Sequence, residues 1–394
     1  MEYQTHLSSN KDLNSNENKN ENTEMENNNK KNDSSVSLER SGSKYSKSVS
    51  YYYYNIVNWT NDVIIQAKER LKSRTNPVWL LGQYYPNGME KTNQQESSFF
   101  LDHSSRIWLT YRHSFEPILP SDYTSDMGWG CMLRSGQMLL INAFVYHFLG
   151  RDWRINNKEK FETYKELINW FLDFPEKPFS IHKIATLGQK YDKSIGEWFG
   201  PMIISQVLKN AVEHSSECNK CIGVCVSVDQ SIYKDEVVKV TNNWNKALII
   251  LLPLRLGIKS LNPLYHEGLK ICFQFPQCIG IAGGKPKSSL YLIGNDDNDI
   301  IYLDPHIIKP ALEKKDKYDD DDFISYKCST VQTIDIASLD PSLAVGFYFS
   351  DEGDFNDFCT QFENVKGDYP IFVISDKKPE YLDEDIDIIS EPTN

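Results

Sequence analysis

Residues 128–138 read GWGCMLRSGQM, with one cysteine between a glycine-flanked tryptophan and a largely apolar run. Beyond Cys131, apolar residues recur at intervals of three and four as far as Phe148, and Gly150 follows, which predicts a helix with a glycine stop. Cys131 would lie in the first turn, where free backbone N–H groups and the helix dipole favour a thiolate. The preceding glycines allow a tight turn and leave room for a substrate backbone. The stretch therefore predicts a nucleophilic cysteine; the alternative is a buried structural cysteine.

A second segment, Asp304-Pro305-His306, follows a strand-like run at 299–303. Residues two apart in an extended chain point to the same side, and Pro305 biases Asp304 towards the extended region. Asp304 and His306 would therefore face one cleft. A thiol protease needs an imidazole that takes and returns a proton, and a third group that orients the imidazole. Alone, the segment is typical of a turn with a surface histidine, but combined with Cys131 it indicates a catalytic pair.

Several motifs, including these two segments, follow one another along the chain. They are YR at 111–112, SDMGWGCMLR at 125–134, GRDW at 150–153, SIGEWFGP at 194–201, PLRLG at 253–257, GGKP at 283–286, YLDPH at 302–306 and LDPSLAVGF at 339–347. With these motifs the chain resembles the autophagins, the autophagy cysteine proteases with a papain-like core. The resemblance extends from about residue 77 to about residue 375.

The resemblance implies a role for each matching residue. Cys131 matches the nucleophile, His306 the general base and Asp304 the group that orients His306. Tyr111 matches a residue whose hydroxyl helps to form the oxyanion hole. The other oxyanion donor would be the backbone N–H of Cys131, which fits its expected position at a helix start. From the residues alone, Tyr111 would be an aromatic side chain in a half-buried strand.

The resemblance also implies a gated groove. Trp198 matches a tryptophan that lies over the active-site groove, although a core aromatic is the alternative. Lys285 and Pro286 belong to residues 285–288, which match a mobile loop that closes the groove in the free enzyme. Gly283-Gly284 before this loop is a flexible entry and Pro286 a stiff tip, which are also typical of an ordinary surface turn.

The activity implied is cleavage of a GABARAP-type ubiquitin-like autophagy modifier after its C-terminal glycine. Such cleavage would mature the precursor and would release the modifier from phosphatidylethanolamine. The enzyme would thus meet membranes only through its lipid-conjugated substrate. Two alternatives remain open: a protease for another ubiquitin-like protein, such as ubiquitin itself, and a non-catalytic scaffold that binds the modifier.

Composition agrees with a cytoplasmic enzyme. The net charge of −13 argues against nucleic-acid binding and would repel an anionic membrane surface. The eight cysteines show no framework spacing, which indicates a reducing compartment, and the N-terminus lacks a secretion-signal pattern. No cofactor or metal is expected, and a monomer is the default expectation.

The predicted organisation has three parts. Residues 1–50 are poor in apolar side chains and are predicted to be disordered, residues 51–375 form the protease domain, and residues 376–394 form an acidic flexible tail. The resemblance adds a small accessory subdomain, placed within 229–275. The fold class is α+β, with a helical part that carries the nucleophile packed on a mostly antiparallel sheet that carries the base. Helices are expected at 61–71, 164–172, 181–187, from 201 and at 351–362, and strands at 222–228, 247–254, 278–282, 289–293, 300–303, 345–349 and 371–375.

Other candidate sites are weaker. Cys218 and Cys221, with His214 and Cys225 nearby, suggest zinc, but the second ligand pair of a closed structural site is missing, so a redox-sensitive thiol pair is the alternative. The acidic run at 319–322 lacks the alternating spacing of a calcium loop. In the C-terminal tail, Ile386 and the residue three positions later have the spacing of a strand-adding docking segment, but an aliphatic residue replaces the usual aromatic.

Overall fold

The computed structural model describes residues 76–89, 98–367 and 370–380. The helix predicted at 61–71, the N-terminal tail 1–50 and the docking segment around Ile386 lie outside these described residues. Within the described ranges there are thirteen strands and eight α-helices. The strands are β1 (Val78–Leu80), β2 (Gln83–Tyr85), β3 (Tyr111–His113), β4 (Ile222–Val226), β5 (Ser231–Tyr233), β6 (Ala247–Arg255), β7 (Cys278–Lys285), β8 (Ser288–Asp296), β9 (Asp299–Leu303), β10 (Ile308–Pro310), β11 (Gln332–Asp335), β12 (Ser342–Phe349) and β13 (Val373–Ser375).

The helices flank this set of strands. They are α1 (Ser98–Ser104), α2 (Cys131–Leu149), α3 (Phe161–Asn169), α4 (Ile181–Gly188), α5 (Pro201–Glu213), α6 (Lys234–Val240), α7 (His266–Cys272) and α8 (Glu352–Val365). Short 3₁₀ turns occupy 189–191, 263–265, 321–326 and 336–338. The helix starts follow local signals, since the Ser180 hydroxyl caps α4, Pro201 opens α5 and the Asp351 carboxylate caps α8.

A nine-stranded sheet is the centre of the fold in the described part of the chain. Its main path runs β11-β9-β8-β7-β12-β6-β4, and β1 adds to β8 and to β2. The β4–β6 pair is parallel and every other pair of this sheet is antiparallel. Strand β6 is buried along nearly its whole length, which explains its uninterrupted apolar sequence.

Helix α2 is buried along almost its whole length and packs across β7 and β8. The glycine at position 136 permits close approach to α5, because a Cβ there would come within 2.5 Å of Ile204 Cγ1. Since α2 is surrounded by packed side chains, its first residue, Cys131, has a fixed position relative to the sheet.

Two small parallel pairs lie outside the main sheet. Strand β10 pairs with β3, with Ile308 opposite Tyr111 and Lys309 opposite Arg112. Because β10 follows β9 by a short turn, this pairing brings the end of the sheet next to Tyr111. The other pair joins β13 to β5.

The predicted α+β class is confirmed: helices pack on an open, mostly antiparallel sheet. The strand expected from residue 371 begins only at Val373, because Phe372 stacks on Phe362 at 4.4 Å and joins the aromatic core instead. Of the segment 229–275, β6 belongs to the main sheet while β5 pairs with β13, and the accessory subdomain stays a prediction.

Candidate active site

Cys131 is the first residue of α2 and is almost fully buried. The turn before it depends on two glycines. Gly128 has a φ of +86°, in the left-handed region that favours glycine, and a Cβ on Gly130 would come within 2.6 Å of Asp126 Oδ2. The Gly130 N–H donates to the Asp126 carbonyl at 2.9 Å, which closes the turn. The predicted position of Cys131 at a helix start is therefore confirmed.

A buried ionic cluster stabilises the turn before Cys131. Arg134 lies one turn into α2 and contacts Asp126 at 2.7 Å and Asp173 at 2.9 Å, with all three side chains at most 2% exposed. Arg134 also donates to Gln137 at 3.2 Å, and the Arg112 backbone N–H donates to Asp126 Oδ1 at 2.7 Å. One carboxylate thus links β3, the turn before Cys131 and α2.

Asp304 and His306 occupy the turn between β9 and β10. The Nδ1 atom of His306 lies 2.6 Å from Asp304 Oδ1, and the same oxygen accepts the His306 backbone N–H at 2.9 Å. The two side chains face each other, as the two-residue spacing predicted, but residues 305–306 form a turn and not the expected extended segment. With Nδ1 held by Asp304, the Nε2 atom is the one available to a reaction partner.

Side chains and backbone of β3 and its neighbourhood fix the Asp304–His306 turn. The Trp108 Nε1–H donates to the Asp304 carbonyl at 2.7 Å, and the Tyr111 backbone N–H donates to the Pro305 carbonyl at 2.8 Å. The Tyr111 ring packs edge-on against the His306 ring, with centroids 5.4 Å apart. The carbonyls of Asp304 and Pro305 are therefore both held by hydrogen bonds from the segment 108–111.

The Cys131 thiol meets His306, Tyr111 and the hairpin formed by β7 and β8. Burial raises the pKa of Cys131, but the hydrogen bond and charge of His306, with the Ser289 backbone N–H and the Tyr111 hydroxyl, lower it below its ordinary value overall. Burial lowers the pKa of His306, whereas hydrogen bonds to Asp304 and Cys131 raise it, and the result is about 9. The two shifts agree in direction: both favour a thiolate beside an imidazolium.

The start of β8 also contacts this pair. The Ser288 hydroxyl lies 3.2 Å from His306 Nε2, and the Ser289 hydroxyl lies 3.5 Å from the sulfur of Met132. Lys285 pairs with Ser288 across the hairpin, and Pro286 lies in its exposed two-residue tip. The structure thus places the predicted gating residues in a hairpin that contacts both members of the thiol–imidazole pair through Ser288 and Ser289.

Trp198 lies in the loop that precedes α5, with its side chain 40% exposed. This loop approaches the turn before Cys131, because Gly196 lies against the Tyr123 ring and the centroid of that ring is 5.7 Å from that of Trp129. A cavity of about 570 Å³ is lined by the same loop and by residues 120–121. Trp198 is therefore a surface aromatic rather than a core one, and its role over the groove stays a prediction.

Cys218 and Cys221, the pair considered for zinc or redox chemistry, lie close enough for Cys221 to affect the pKa of Cys218. Across the described ranges, no group of three His, Cys, Asp or Glu side chains is placed to hold a metal ion. Burial raises the pKa of Cys218 to about 12, so its thiolate is disfavoured.

Several residues of this site escaped the sequence reasoning. Arg134 and Asp126 stand inside motifs quoted for the resemblance, but only the fold shows that they pair with Asp173. An arginine inside a strongly apolar helical run was the available signal, since a buried arginine requires carboxylate partners. The sequence contains no indication of the role of Trp108, because its hydrogen bond to Asp304 joins residues 196 positions apart.

Comparisons with known proteins identify the family. Residues 96–361 match the Peptidase C54 catalytic domain. The chain belongs to the Peptidase C54 family. It is 36% identical over 362 residues to cysteine protease ATG4B from Gallus gallus, covering 82% of this chain and 90% of that protein. It is 37% identical over 317 residues to ATG4A from Gallus gallus (72% and 81%), and 33% identical over 363 residues to ATG4D from Xenopus laevis (77% and 76%).

The resemblance to the autophagins is therefore confirmed, and the chain is an autophagy cysteine protease with a papain-like fold. In the part of the chain that the structure describes, none of the helices is long and apolar enough to cross a membrane.

Proposed function

We propose that this C54 peptidase cleaves the amide bond after the C-terminal glycine of a GABARAP-type ubiquitin-like modifier. It would act on the precursor, and on the modifier conjugated to phosphatidylethanolamine. The observation that carries the chemistry is the hydrogen-bonded series from Cys131 through His306 to Asp304, with 2.6 Å between Asp304 Oδ1 and His306 Nδ1. The ATG4 names of the relatives support the class of substrate.

In the first step the Cys131 thiolate attacks the glycine carbonyl carbon. The negative charge that develops on the carbonyl oxygen is stabilised by the Cys131 backbone N–H and by the Tyr111 hydroxyl, which already contacts the sulfur in the resting site. The first N–H groups of α2 have no intrahelical partners, so the helix start favours both the thiolate and this oxyanion.

In the second step the imidazolium of His306 donates its Nε2 proton to the leaving amine. The glycine remains attached to Cys131 as a thioester. His306, now neutral, takes a proton from water; the hydroxide attacks the thioester and restores the thiolate. Asp304 keeps the Nδ1 proton in place throughout and stabilises the charged ring.

The same bond chemistry serves both leaving groups. In the precursor the amine belongs to the next residue, and in the conjugate it belongs to phosphatidylethanolamine. Selection for glycine would come from Trp198 and from the hairpin tip with Lys285 and Pro286, which would leave no room for a side chain next to Cys131. We further propose a cytoplasmic monomer that needs no cofactor and that meets membranes only through its lipid-conjugated substrate; the net charge of −13 agrees with this, because it opposes direct binding to anionic lipid.

The test is cleavage of a purified modifier precursor that carries a C-terminal reporter, with a ubiquitin fusion as the comparison substrate. Cys131→Ala and His306→Ala should abolish cleavage and retain binding of the modifier. Cys359→Ala and the exposed His214→Ala, which lie outside the site, are the matched controls and should cleave normally.

Equal cleavage of the ubiquitin fusion would reject the proposed substrate class. Binding of the modifier without any cleavage by the wild type would support a scaffold instead. Retained cleavage by Cys131→Ala would reject the assigned nucleophile.

A further inference from the structure

Lys309 lies behind the catalytic turn and touches none of the reacting atoms. Its Nζ sits 3.7 Å from the centroid of the Trp108 ring, and it donates to the Ser325 carbonyl at 2.6 Å. On the other side, the indole N–H of Trp108 donates to the Asp304 carbonyl at 2.7 Å. A cation, an indole and the backbone of the orienting aspartate therefore form one continuous series.

The position of the ammonium group is defined by its surroundings. Lys309 is half-buried on β10, directly opposite Arg112 of β3. Arg112 donates to the Pro310 carbonyl and to the Ser325 hydroxyl, and its guanidinium lies 4.3 Å from the Tyr326 ring centroid. The Trp108 backbone N–H donates to the Tyr326 carbonyl. The 3₁₀ turn at 321–326 thus accepts hydrogen bonds from both Lys309 and Trp108.

Holding a cation here has a cost. Burial lowers the pKa of Lys309 to about 7, with Arg112 acting in the same direction and Cys328 against it. A neutral side chain could fill this space without that cost. The ammonium instead lies over the face of an indole, which is the most favourable aromatic partner for a cation.

The positive charge draws electron density from the indole ring, so it makes the N–H a stronger hydrogen-bond donor. We propose that Lys309 is a positioning residue of this protease, which acts through the Trp108 indole to hold the Asp304 carbonyl and thereby the orientation of His306. The inference rests on the proposed roles of Asp304 and His306 and adds a residue to them.

The variants separate charge from hydrogen bonding. Lys309→Gln keeps a donor for the Ser325 carbonyl and removes the charge, whereas Lys309→Arg keeps both. At pH 6.0, where Lys309 is protonated, we expect Lys309→Gln to lower kcat about 3- to 10-fold with KM within twofold, which is less than the full effect of a desolvated cation–π contact because only part of it acts on His306. Lys309→Arg should restore kcat to within twofold. Lys246→Gln is the matched control, since Lys246 also donates to a backbone carbonyl, that of Asn219, at 2.8 Å.

Two further measurements identify the route of the effect. The indole N–H resonance of Trp108, assigned with Trp108→Phe, should move upfield in Lys309→Gln. In a Trp108→Phe background, Lys309→Gln should lower kcat by less than twofold, because the indole N–H through which Lys309 acts is already absent. The inference is overturned if Lys309→Gln leaves both kcat and the indole resonance unchanged, or if Lys309→Arg loses as much kcat as Lys309→Gln. It is also overturned if Lys309→Gln lowers kcat by the same factor in the Trp108→Phe background as in wild type.

Alkylation of Cys131 by iodoacetamide separates this inference from the choice of substrate, because it needs no modifier. If Cys131 is alkylated more slowly in Lys309→Gln than in wild type, but the wild type cleaves no modifier, the role of Lys309 is supported and the proposed substrate is rejected. Equal alkylation rates beside normal cleavage by the wild type would retain the substrate and reject Lys309. Unfolding midpoints measured alongside show that each variant is folded.

Discussion

Asp304→Asn removes one charge and keeps nearly the same shape. The carboxylate lies 2.6 Å from His306 Nδ1, and an amide there would keep an oxygen for the His306 backbone N–H but would lose the charge that stabilises the imidazolium. The rise of the His306 pKa from 6.5 to about 9 corresponds to a preference for the charged ring of about 3 kcal/mol, to which Cys131 also contributes. Loss of the carboxylate also frees the ring to adopt the wrong tautomer.

From these two effects we expect kcat to fall by about 10²- to 10⁴-fold in Asp304→Asn. The lower figure corresponds to loss of a charge-assisted hydrogen bond and the upper to the equivalent change in a serine protease triad. In wild type the rate should decline as the pH rises through about 9, because His306 loses the proton that the leaving amine needs. In Asp304→Asn this alkaline limb should move to lower pH, since the neutral ring is no longer penalised.

The assay is reporter cleavage from pH 6 to pH 10, with kcat and KM separated at each point. Asp335→Asn is the matched control, because Asp335 Oδ1 also accepts the backbone N–H two residues on, from Ala337 at 2.7 Å, but on an exposed strand end away from the site. The orienting role of Asp304 would be refuted if Asp304→Asn lowered kcat by less than threefold and left the alkaline limb of the pH–rate profile unchanged.

Three other substitutions test separate parts of the site. If the Tyr111 hydroxyl stabilises the oxyanion as proposed, Tyr111→Phe should lower kcat by about 10²-fold with little change in KM. Cleavage kinetics test this, and a kcat equal to that of wild type would exclude the role. The folded pKa of His306 exceeds its unfolded value, so its contribution to stability is complete below pH 6.5 and lost as the pH rises through about 9. Urea unfolding of wild type and His306→Gln should therefore differ more at pH 6 than at pH 10, and a larger difference at pH 10 would contradict this. Arg134→Met should destabilise the fold by about 3–5 kcal/mol in urea, because two buried carboxylates lose their partner, whereas the exposed-pair control Lys209→Met should cost under about 0.5 kcal/mol; similar losses in both would refute the structural importance of the buried cluster.

Much of the local structure follows from the sequence. The periodicity after Cys131 predicts a helix, and the structure has it at Cys131–Leu149 with Cys131 in its first turn. The uninterrupted apolar run from Ala247 predicts a buried strand, which is found as β6. The two-residue spacing of Asp304 and His306 predicts that both face one site, and they do, although residues 305–306 form a turn instead of the extended segment from which the prediction was made.

What the sequence could not supply are contacts between distant segments. Trp108 reaches Asp304, Ser288 reaches His306, and Arg112 reaches Ser325, and each pair is joined only by the way the strands and turns assemble. Periodicity reports which face of an element is buried but not which element covers it. The ionic partners of Arg134 escaped prediction for the same reason.

The central assignment is that Cys131 forms a covalent bond to the C-terminal glycine of the modifier. The most direct test is to react the purified enzyme with a modifier whose scissile amide is replaced by a cysteine-reactive alkyne, and to locate the adduct by mass spectrometry. We expect one adduct, on the peptide that contains Cys131, with none formed in Cys131→Ala and none from the corresponding ubiquitin probe. An adduct on any of the other seven cysteines, or no adduct from an enzyme that cleaves its substrate, would contradict the assignment.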